Sequence, residues 1–148
     1  MKRLLSIVLF CACVMFSRGQ VVIDGIEYTL CPYSNYTAYI GSVANDKLHT
    51  GHISIPSSVY YEGKKYTVDL ICSFAFQDCT SLTSISIPNS VRIGDGLFSD
   101  CTSLTSISLP NSIKEIGSFM FKDCTALNSV NIPTSVTKIG KHAFTNSI

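Results

Sequence analysis

The chain lacks several features that would point directly to a function. It contains no tryptophan, and only 14% of its 148 residues are charged. Its basic residues form no cluster, which excludes the concentrated positive surface that nucleic-acid binding requires. No two cysteines have the Cys-x-x-Cys spacing typical of structural zinc. Hydrophobic residues nevertheless make up 46% of the sequence, as in a chain that folds around a core.

One long apolar run is present, at the N-terminus. Two basic residues precede the apolar stretch 4–16, and small residues stand before a predicted cleavage between Gly19 and Gln20. This order is typical of a secretory signal peptide, and the run is shorter than the roughly 20 residues of a membrane-spanning helix. We therefore predict that residues 1–19 are a signal peptide and that the mature chain is secreted or held at the cell surface, without a transmembrane segment.

Lipid modification of Cys13 is an alternative fate for the N-terminus, although Phe10 and Cys11 fit a lipoprotein cleavage box poorly. Removal of residues 1–19 would leave eight basic and ten acidic residues, a formal charge of −2. It would also leave five cysteines, an odd number. Three of these recur at one repeat position, which favours buried thiols over a disulfide framework.

A repeat dominates the second half of the sequence. Cysteines and prolines recur at spacings of 22 and 23 residues, at Cys79, Cys101 and Cys124 and at Pro88, Pro110 and Pro133. Self-similarity at this period predicts a solenoid, in which each unit buries a face that it could not bury alone. We divide this region into repeats 51–80, 81–102, 103–125 and 126–148.

Each repeat begins with the pattern L-x-x-I-x-I-P, which alternates like a strand and ends at proline. Because stacked strands lie about 4.8 Å apart, the apolar positions predict an inward-facing ladder. A second buried wall follows in each repeat, including Val91, Ile93, Leu97 and Phe98, then Ile113, Ile116 and Phe121, then Val136, Ile139, Ala143 and Phe144. Between the two walls, Gly94, Gly117 and Gly140 predict a corner that needs a positive φ or a tight turn.

The residues before the repeats predict a β cap at 20–50. A hairpin is expected around Asp24-Gly25, because Val22, Ile26, Tyr28 and Leu30 fall at alternate or near-alternate positions on either side of that pair. The first repeat carries an insertion, 59–67, that predicts a second hairpin with Glu62-Gly63 at its turn.

The combination of L-x-x-I-x-I-P, S-V/I-x-x-I-G and A-F-x-x-C-T/S-x-L resembles the BspA-type leucine-rich repeats of bacterial surface and secreted proteins, over residues 51–148. The resemblance implies a leucine-rich repeat solenoid that is mostly β with short helical or 3-10 turns. It implies about four stacked repeats of about 23 residues behind an N-terminal β-hairpin cap. Similar proteins are associated with adhesion to host matrix, to other cells or to partner proteins, so these motifs specify the fold rather than the ligand.

No residue set predicts catalysis, a metal site or a cofactor. His49, His52 and His142 are interpreted as surface or edge residues. A row of aspartates, Asp78, Asp100 and Asp123, is interpreted as turn-capping carboxylates that accept hydrogen bonds from nearby backbone amides. The calcium alternative lacks the D-x-D-x-D density of a calcium loop.

Two features remain as a candidate binding surface. The outward strand positions form a face of small polar side chains, which either binds a ligand or keeps the sheet soluble: His52, Ser54, Ser84, Ser86, Ser106, Ser108, Ser129 and Asn131. All seven tyrosines precede residue 67, and Tyr60, Tyr61 and Tyr66 lie in the inserted hairpin. Tyrosines there serve either recognition or packing.

The sequence thus predicts a non-catalytic module that binds a protein or glycan on a host or bacterial surface. The alternative is a structural spacer or self-assembling unit, which would associate through an uncapped last rung.

Overall fold

The computed structural model describes residues 19–31, 35, 37–41 and 50–147. Most of the predicted signal peptide, with Cys13, lies outside this part of the chain, as do Tyr33, Tyr36 and His49. Every regular element within it is a β-strand. Where short helical or 3-10 turns were expected, the described residues form turns with 3-10-type bonds from an amide to the carbonyl three residues earlier, such as Gln77 to Phe74 and Cys79 to Phe76. The predicted leucine-rich repeat solenoid is confirmed.

The cap consists of three antiparallel strands, β1 (Gly19–Ile23), β2 (Ile26–Cys31) and β3 (Thr37–Ile40). Asp24 and Gly25 both have positive φ, 50° and 80°, as a two-residue hairpin turn requires. Of the four residues that alternate around this turn, Ile26, Tyr28 and Leu30 are buried and Val22 is not. Val22 lies opposite Glu27 on the outer side of the hairpin and is 59% exposed, because the alternation of β1 turns its neighbours inward.

The first repeat contains β4 (Gly51–Ser54), β5 (Ser58–Tyr61) and β6 (Lys64–Ile71). Strands β5 and β6 form the predicted hairpin, whose turn residues Glu62 and Gly63 have φ of 48° and 75°. Strand β6 runs on past the hairpin and pairs in parallel with β3. The cap and the first repeat therefore share one sheet, in the order β1-β2-β3-β6-β5.

The remaining strands are short and stack in parallel. The first wall is the sheet β11-β9-β7-β4, formed with β7 (Leu82–Ser86), β9 (Ser106–Ser108) and β11 (Ser129–Asn131). On the second wall, β8 (Arg92–Ile93) pairs with β6, and β10 (Glu115–Ile116) pairs with β12 (Lys138–Ile139). Between β8 and β10 the pairing of this wall is interrupted, where repeat 81–102 is one residue shorter than the next.

The core contains a stack of phenylalanine rings that recur once in each repeat. Phe76, Phe98, Phe121 and Phe144 lie ring on ring, with successive centroids 5.9, 5.8 and 5.3 Å apart. Such contacts add to the apolar burial that drives folding. The prediction of buried apolar positions is wrong for Ile132, which belongs to the ladder, and for Ile139 of the second wall, since they are 43% and 55% exposed. Both lie on the last rung of the described residues, where no further rung covers them.

The corner glycines are explained by close approach rather than by positive φ. A Cβ on Gly94 would lie 2.4 Å from the backbone nitrogen of Ser73 on the preceding rung, a distance that no side chain can adopt. The left-handed residues stand two positions later in each rung, at Phe74, Gly96, Phe119 and His142, with φ between 58° and 59°. Phe119 and His142 also stack, with centroids 5.5 Å apart, so His142 occupies the position that phenylalanine holds in the preceding rung.

Candidate functional site

The outward residues of the first wall form two straight rows. Parallel pairing in register places equivalent positions side by side, so one row is His52-Ser84-Ser106-Ser129 and the other is Ser54-Ser86-Ser108-Asn131. Adjacent members are about 4.8 Å apart across the sheet. Seven of these eight residues are exposed and Ser84 is half-buried. We call these eight residues the serine face.

The serine face is polar and carries no carboxylate or ammonium group. At its β4 end, the His52 Nδ1 and Ser84 Oγ atoms are 2.8 Å apart, which fixes the imidazole against the sheet. The other seven side chains are hydroxyls and one amide, each able to donate and accept hydrogen bonds. The face therefore suits a flat polar ligand that makes many weak contacts.

The hairpin of β5 and β6 presents two exposed tyrosines. Tyr60 is 67% exposed and lies opposite Lys65, while Tyr61 is 37% exposed and lies opposite Lys64. The Glu62 carboxylate raises the pKa of Tyr61, so its phenol stays neutral at physiological pH. Each tyrosine is thus a large contact surface beside an ammonium group.

Tyr66 does not belong to this exposed surface. It is only 5% exposed and pairs across the hairpin with Val59, which is also buried. These two side chains point into the core and anchor the base of the hairpin. Its burial removes Tyr66 from the candidate binding surface and leaves Tyr60 and Tyr61 there.

The aspartate row has a backbone role. Asp78, Asp100 and Asp123 have φ of 61°, 64° and 58°, and Asn146 continues the row at 56°. Aspartate and asparagine tolerate this left-handed conformation better than most residues. Each aspartate amide donates to a carbonyl of the next rung, as from Asp100 to Lys122 at 2.8 Å.

The side chains of Asp100 and Asp123 bind other side chains, whereas hydrogen bonds to backbone amides were expected. Asp100 accepts a hydrogen bond from Ser99 at 2.8 Å, and Asp123 accepts from Lys122 and from Asn146. The Lys122 contact, followed by the Asn146 contact, lowers the pKa of Asp123. No three metal-binding side chains cluster anywhere in the described residues.

The repeated cysteines are structural. The Cys101 thiol donates to the Phe76 carbonyl and the Cys124 thiol to the Phe98 carbonyl, both at 3.0 Å. Burial raises the pKa of Cys101, and raises that of Cys124 to about 12. A thiol that stays protonated is a poor nucleophile, so these groups serve packing and not chemistry.

The structure also shows a cleft that the sequence did not reveal. It has a volume of about 320 Å³ and lies between the turn of the β1–β2 hairpin and strand β4. The cap contributes Ile23, Asp24, Ile26 and Tyr28, and the first repeat contributes Thr50, His52, Ile53, Ser54 and Pro56. The Asp24-Gly25 pair predicted the hairpin, but no local signal indicated where its turn would lie against the repeats.

Tyr28 is the unusual side chain beside this cleft. It is fully buried, and its hydroxyl has no hydrogen-bond partner among the residues that the structure describes. Burial, and secondarily Asp24, raises the pKa of Tyr28 to about 12. A buried hydroxyl without a partner costs stability, so this group calls for an explanation.

Comparison with known proteins places the fold in a family. Residues 40–148 match the BspA type leucine rich repeat region in six copies. The match begins in β3, consistent with the pairing of that strand with the repeats. No curated protein shows significant similarity to the chain. Within the described residues, no helix is long and apolar enough to cross a membrane.

Several solved structures share the fold. A leucine-rich repeat protein from Bacteroides ovatus is 36% identical with a TM-score of 0.74, over 86% of this chain and 33% of that one. One from Bacteroides capillosus is 26% identical with a TM-score of 0.63, over 86% of this chain and 91% of that one. The T. pallidum leucine rich repeat protein is 29% identical with a TM-score of 0.63, over 82% and 54%.

The chain thus spans about a third of the length of the B. ovatus protein. The family match covers most of the sequence, and it agrees with the stacked rungs, the phenylalanine stack and the thiol column. This chain belongs to the BspA-type leucine-rich repeat family.

Proposed function

We propose that the protein is a secreted or cell-surface binding module without catalytic activity, which holds a protein or glycan against its serine face and its tyrosine hairpin. The observation that carries this proposal is the exposure of Tyr60 and Tyr61 beside two lysines on a hairpin anchored by Val59 and Tyr66. The predicted signal peptide and the exported proteins that the repeats resemble support the location.

The hairpin is the stronger half of the site. Tyrosine provides contact area and a polar tip at low entropic cost, and a few aromatic residues often supply most of the binding energy. The serine face lacks such an anchor, so it contributes complementarity and specificity. Because β5 is the last strand of its sheet, one edge of the hairpin pairs with no other described strand and is open to a partner.

Binding can be tested with the mature chain immobilised against a glycan array and against extracts of host and bacterial surfaces. We expect a retained component, and we expect the double variant Tyr60→Ala/Tyr61→Ala to weaken its binding by about tenfold or more. The matched control is Val22→Ala, which removes an equally exposed apolar side chain from the cap. Unchanged binding by the double variant would remove the hairpin from the proposal.

A second function, self-assembly, is favoured by one observation. The last described rung exposes Ile132 and Ile139 beside strand edges, which is the kind of surface that pairs with another chain. In that case light scattering of the mature chain should show a mass that rises with concentration, and Ile139→Lys should abolish the rise. A strict monomer at high concentration would refute self-assembly, and the binding module would remain as the proposed function.

A further inference from the structure

The cleft at the cap lies along the open edge of strand β4. On one side β4 pairs with β7, and no described strand pairs with its other side, since β4 ends the sheet order β11-β9-β7-β4. His52, Ile53 and Ser54 of β4 all border the cleft, opposite the hairpin turn of the cap. The cap therefore extends the second wall of the solenoid and leaves a gap beside the first.

Backbone groups of β4 point into this gap. The amides of Gly51 and Ile55 donate to the carbonyls of Ser81 and Ser86, both at 2.9 Å, so the odd-numbered residues face β7. Along a strand the backbone groups of successive residues point to opposite edges. The amides and carbonyls of His52 and Ser54 consequently face the cleft, where no described residue bonds them.

We propose that this cleft is a second binding site, which receives an extended peptide as a fifth strand of the first-wall sheet. A peptide backbone offers donors and acceptors at the spacing that His52 and Ser54 require, and strand addition to an open edge is a common mode of peptide binding. Strand β4 has four residues, so at about 3.3 Å per residue the paired segment is about 13 Å long.

The residues that line the cleft indicate which peptide side chains would fit there. Ile23, Ile26, Ile53 and Pro56 form an apolar lining that suits every second side chain. The Asp24 carboxylate is exposed at the rim, where it suits a basic side chain on the alternate positions. The peptide chemistry is therefore apolar residues alternating with lysine or arginine. A glycan has no backbone amides to match the edge, which favours the peptide.

The proposal is tested with a capped hexapeptide, Thr-Val-Lys-Val-Lys-Val, added to the mature chain while amide hydrogen exchange is followed by NMR. We expect the amides of His52 and Ser54 to gain about tenfold protection. The amide of Ile55, already bonded to Ser86, should change little and is the internal control. No added protection at His52 and Ser54, or equal protection at all three residues, would overturn the proposal.

The peptide also supplies a control for the hydrogen bonds. Methylation of alternate backbone nitrogens in one register should abolish binding, and methylation in the other register should be tolerated, because only one edge of a strand pairs with β4. Equal binding by both methylated peptides would mean that the lining alone holds the ligand, and would refute strand addition. Protection of the same two amides by an oligosaccharide instead of the peptide would also refute it.

Two cap variants test whether the Asp24 carboxylate attracts the basic side chains of the peptide. Asp24→Asn keeps a residue that tolerates the positive φ of the turn and should weaken binding of the lysine peptide by about threefold. Glu27→Gln makes the same charge change on β2, away from the cleft, and should have little effect. Equal effects of the two would show that general charge, not the cleft, attracts the peptide. The Tyr60→Ala/Tyr61→Ala variant should bind this peptide normally, so the hairpin proposal and the cleft proposal can fail separately.

Discussion

At the scale of single residues, the polar residues that recur at one position of each repeat serve the backbone. Four of these residues have left-handed backbone conformations: Asp78, Asp100, Asp123 and Asn146. The backbone amide of each of the three aspartates donates a hydrogen bond to a carbonyl of the next rung. The thiols of Cys101 and Cys124 donate hydrogen bonds to backbone carbonyls of the preceding rung, inside the solenoid. A row of carboxylates that resembles a ligand site is thus explained by turn geometry.

The buried thiols predict a loss of stability in alkali. Their pKa values are raised in the folded protein, to about 12 for Cys124, whereas an unfolded cysteine titrates near 8.5. Above the unfolded value, unfolding releases protons, so stability is complete below about pH 8.5 and falls as the pH rises toward the folded pKa. Each thiol should account for about 2 kcal/mol of the loss by about pH 10.

Thermal unfolding of the mature chain between about pH 8 and pH 10 tests this prediction. The variant Cys101→Ala/Cys124→Ala should start from a lower Tm at neutral pH but lose less of it in alkali. Tyr28, whose raised pKa acts in the same direction, is present in both proteins and cancels from the comparison. Parallel pH profiles for the two proteins would contradict the assignment.

At the scale of elements, each strand depends on its neighbours in the stack. Strand β9 has only three residues, too few to persist alone, and it pairs with β7 on one side and β11 on the other. Its central residue Ile107 is 6% exposed, while the flanking Ser106 and Ser108 lie on the serine face. The alternation of three residues therefore places one side chain in the core and two on the serine face.

Substitution at adjacent positions of β9 should affect the stability of the fold very differently. Ile107→Asp would bury a charge inside the ladder and should prevent folding. The milder Ile107→Ala should lower the free energy of unfolding by about 2–5 kcal/mol, whereas Ser106→Asp should change it by less than about 0.5 kcal/mol. Circular dichroism during urea unfolding measures all three. Similar losses for Ser106→Asp and Ile107→Ala would mean that the inward and outward faces are reversed.

The repeats were predictable because alternation and period are local. Alternation predicts the serine face and the apolar ladder, and the Glu62-Gly63 pair predicts the turn of the inserted hairpin. The exposure of Val22 and the burial of Tyr66 could not be predicted in this way, because both depend on hairpin register, and a shift of one residue moves every side chain to the other face. The pairing of β3 with β6 and the cleft beside β4 depend on contacts between distant segments, which no local pattern encodes.

At the scale of the whole molecule, stability should vary along the axis of the solenoid. In a stack each rung contacts only its neighbours, so the stability of the solenoid is approximately the sum of the stabilities of the rungs and of the interfaces between them. Cap strand β3 covers one end of the second wall through β6. At the other end of the described residues, β12 pairs with β10 on one side only. The last described rung should therefore open more readily than the middle rungs.

A matched pair of isoleucines tests this gradient. Ile116 and Ile139 face each other across β10 and β12, but Ile116 is fully buried and Ile139 is 55% exposed. Ile116→Ala should lower the free energy of unfolding by about 2–5 kcal/mol, and Ile139→Ala by less than about 1 kcal/mol, because only the first leaves a cavity. Urea unfolding followed by circular dichroism provides the measurement. Equal losses would show that another surface covers Ile139 in solution. If the loss for Ile139→Ala grew with protein concentration, that surface would be a second copy of the chain, which would favour self-assembly over the binding module.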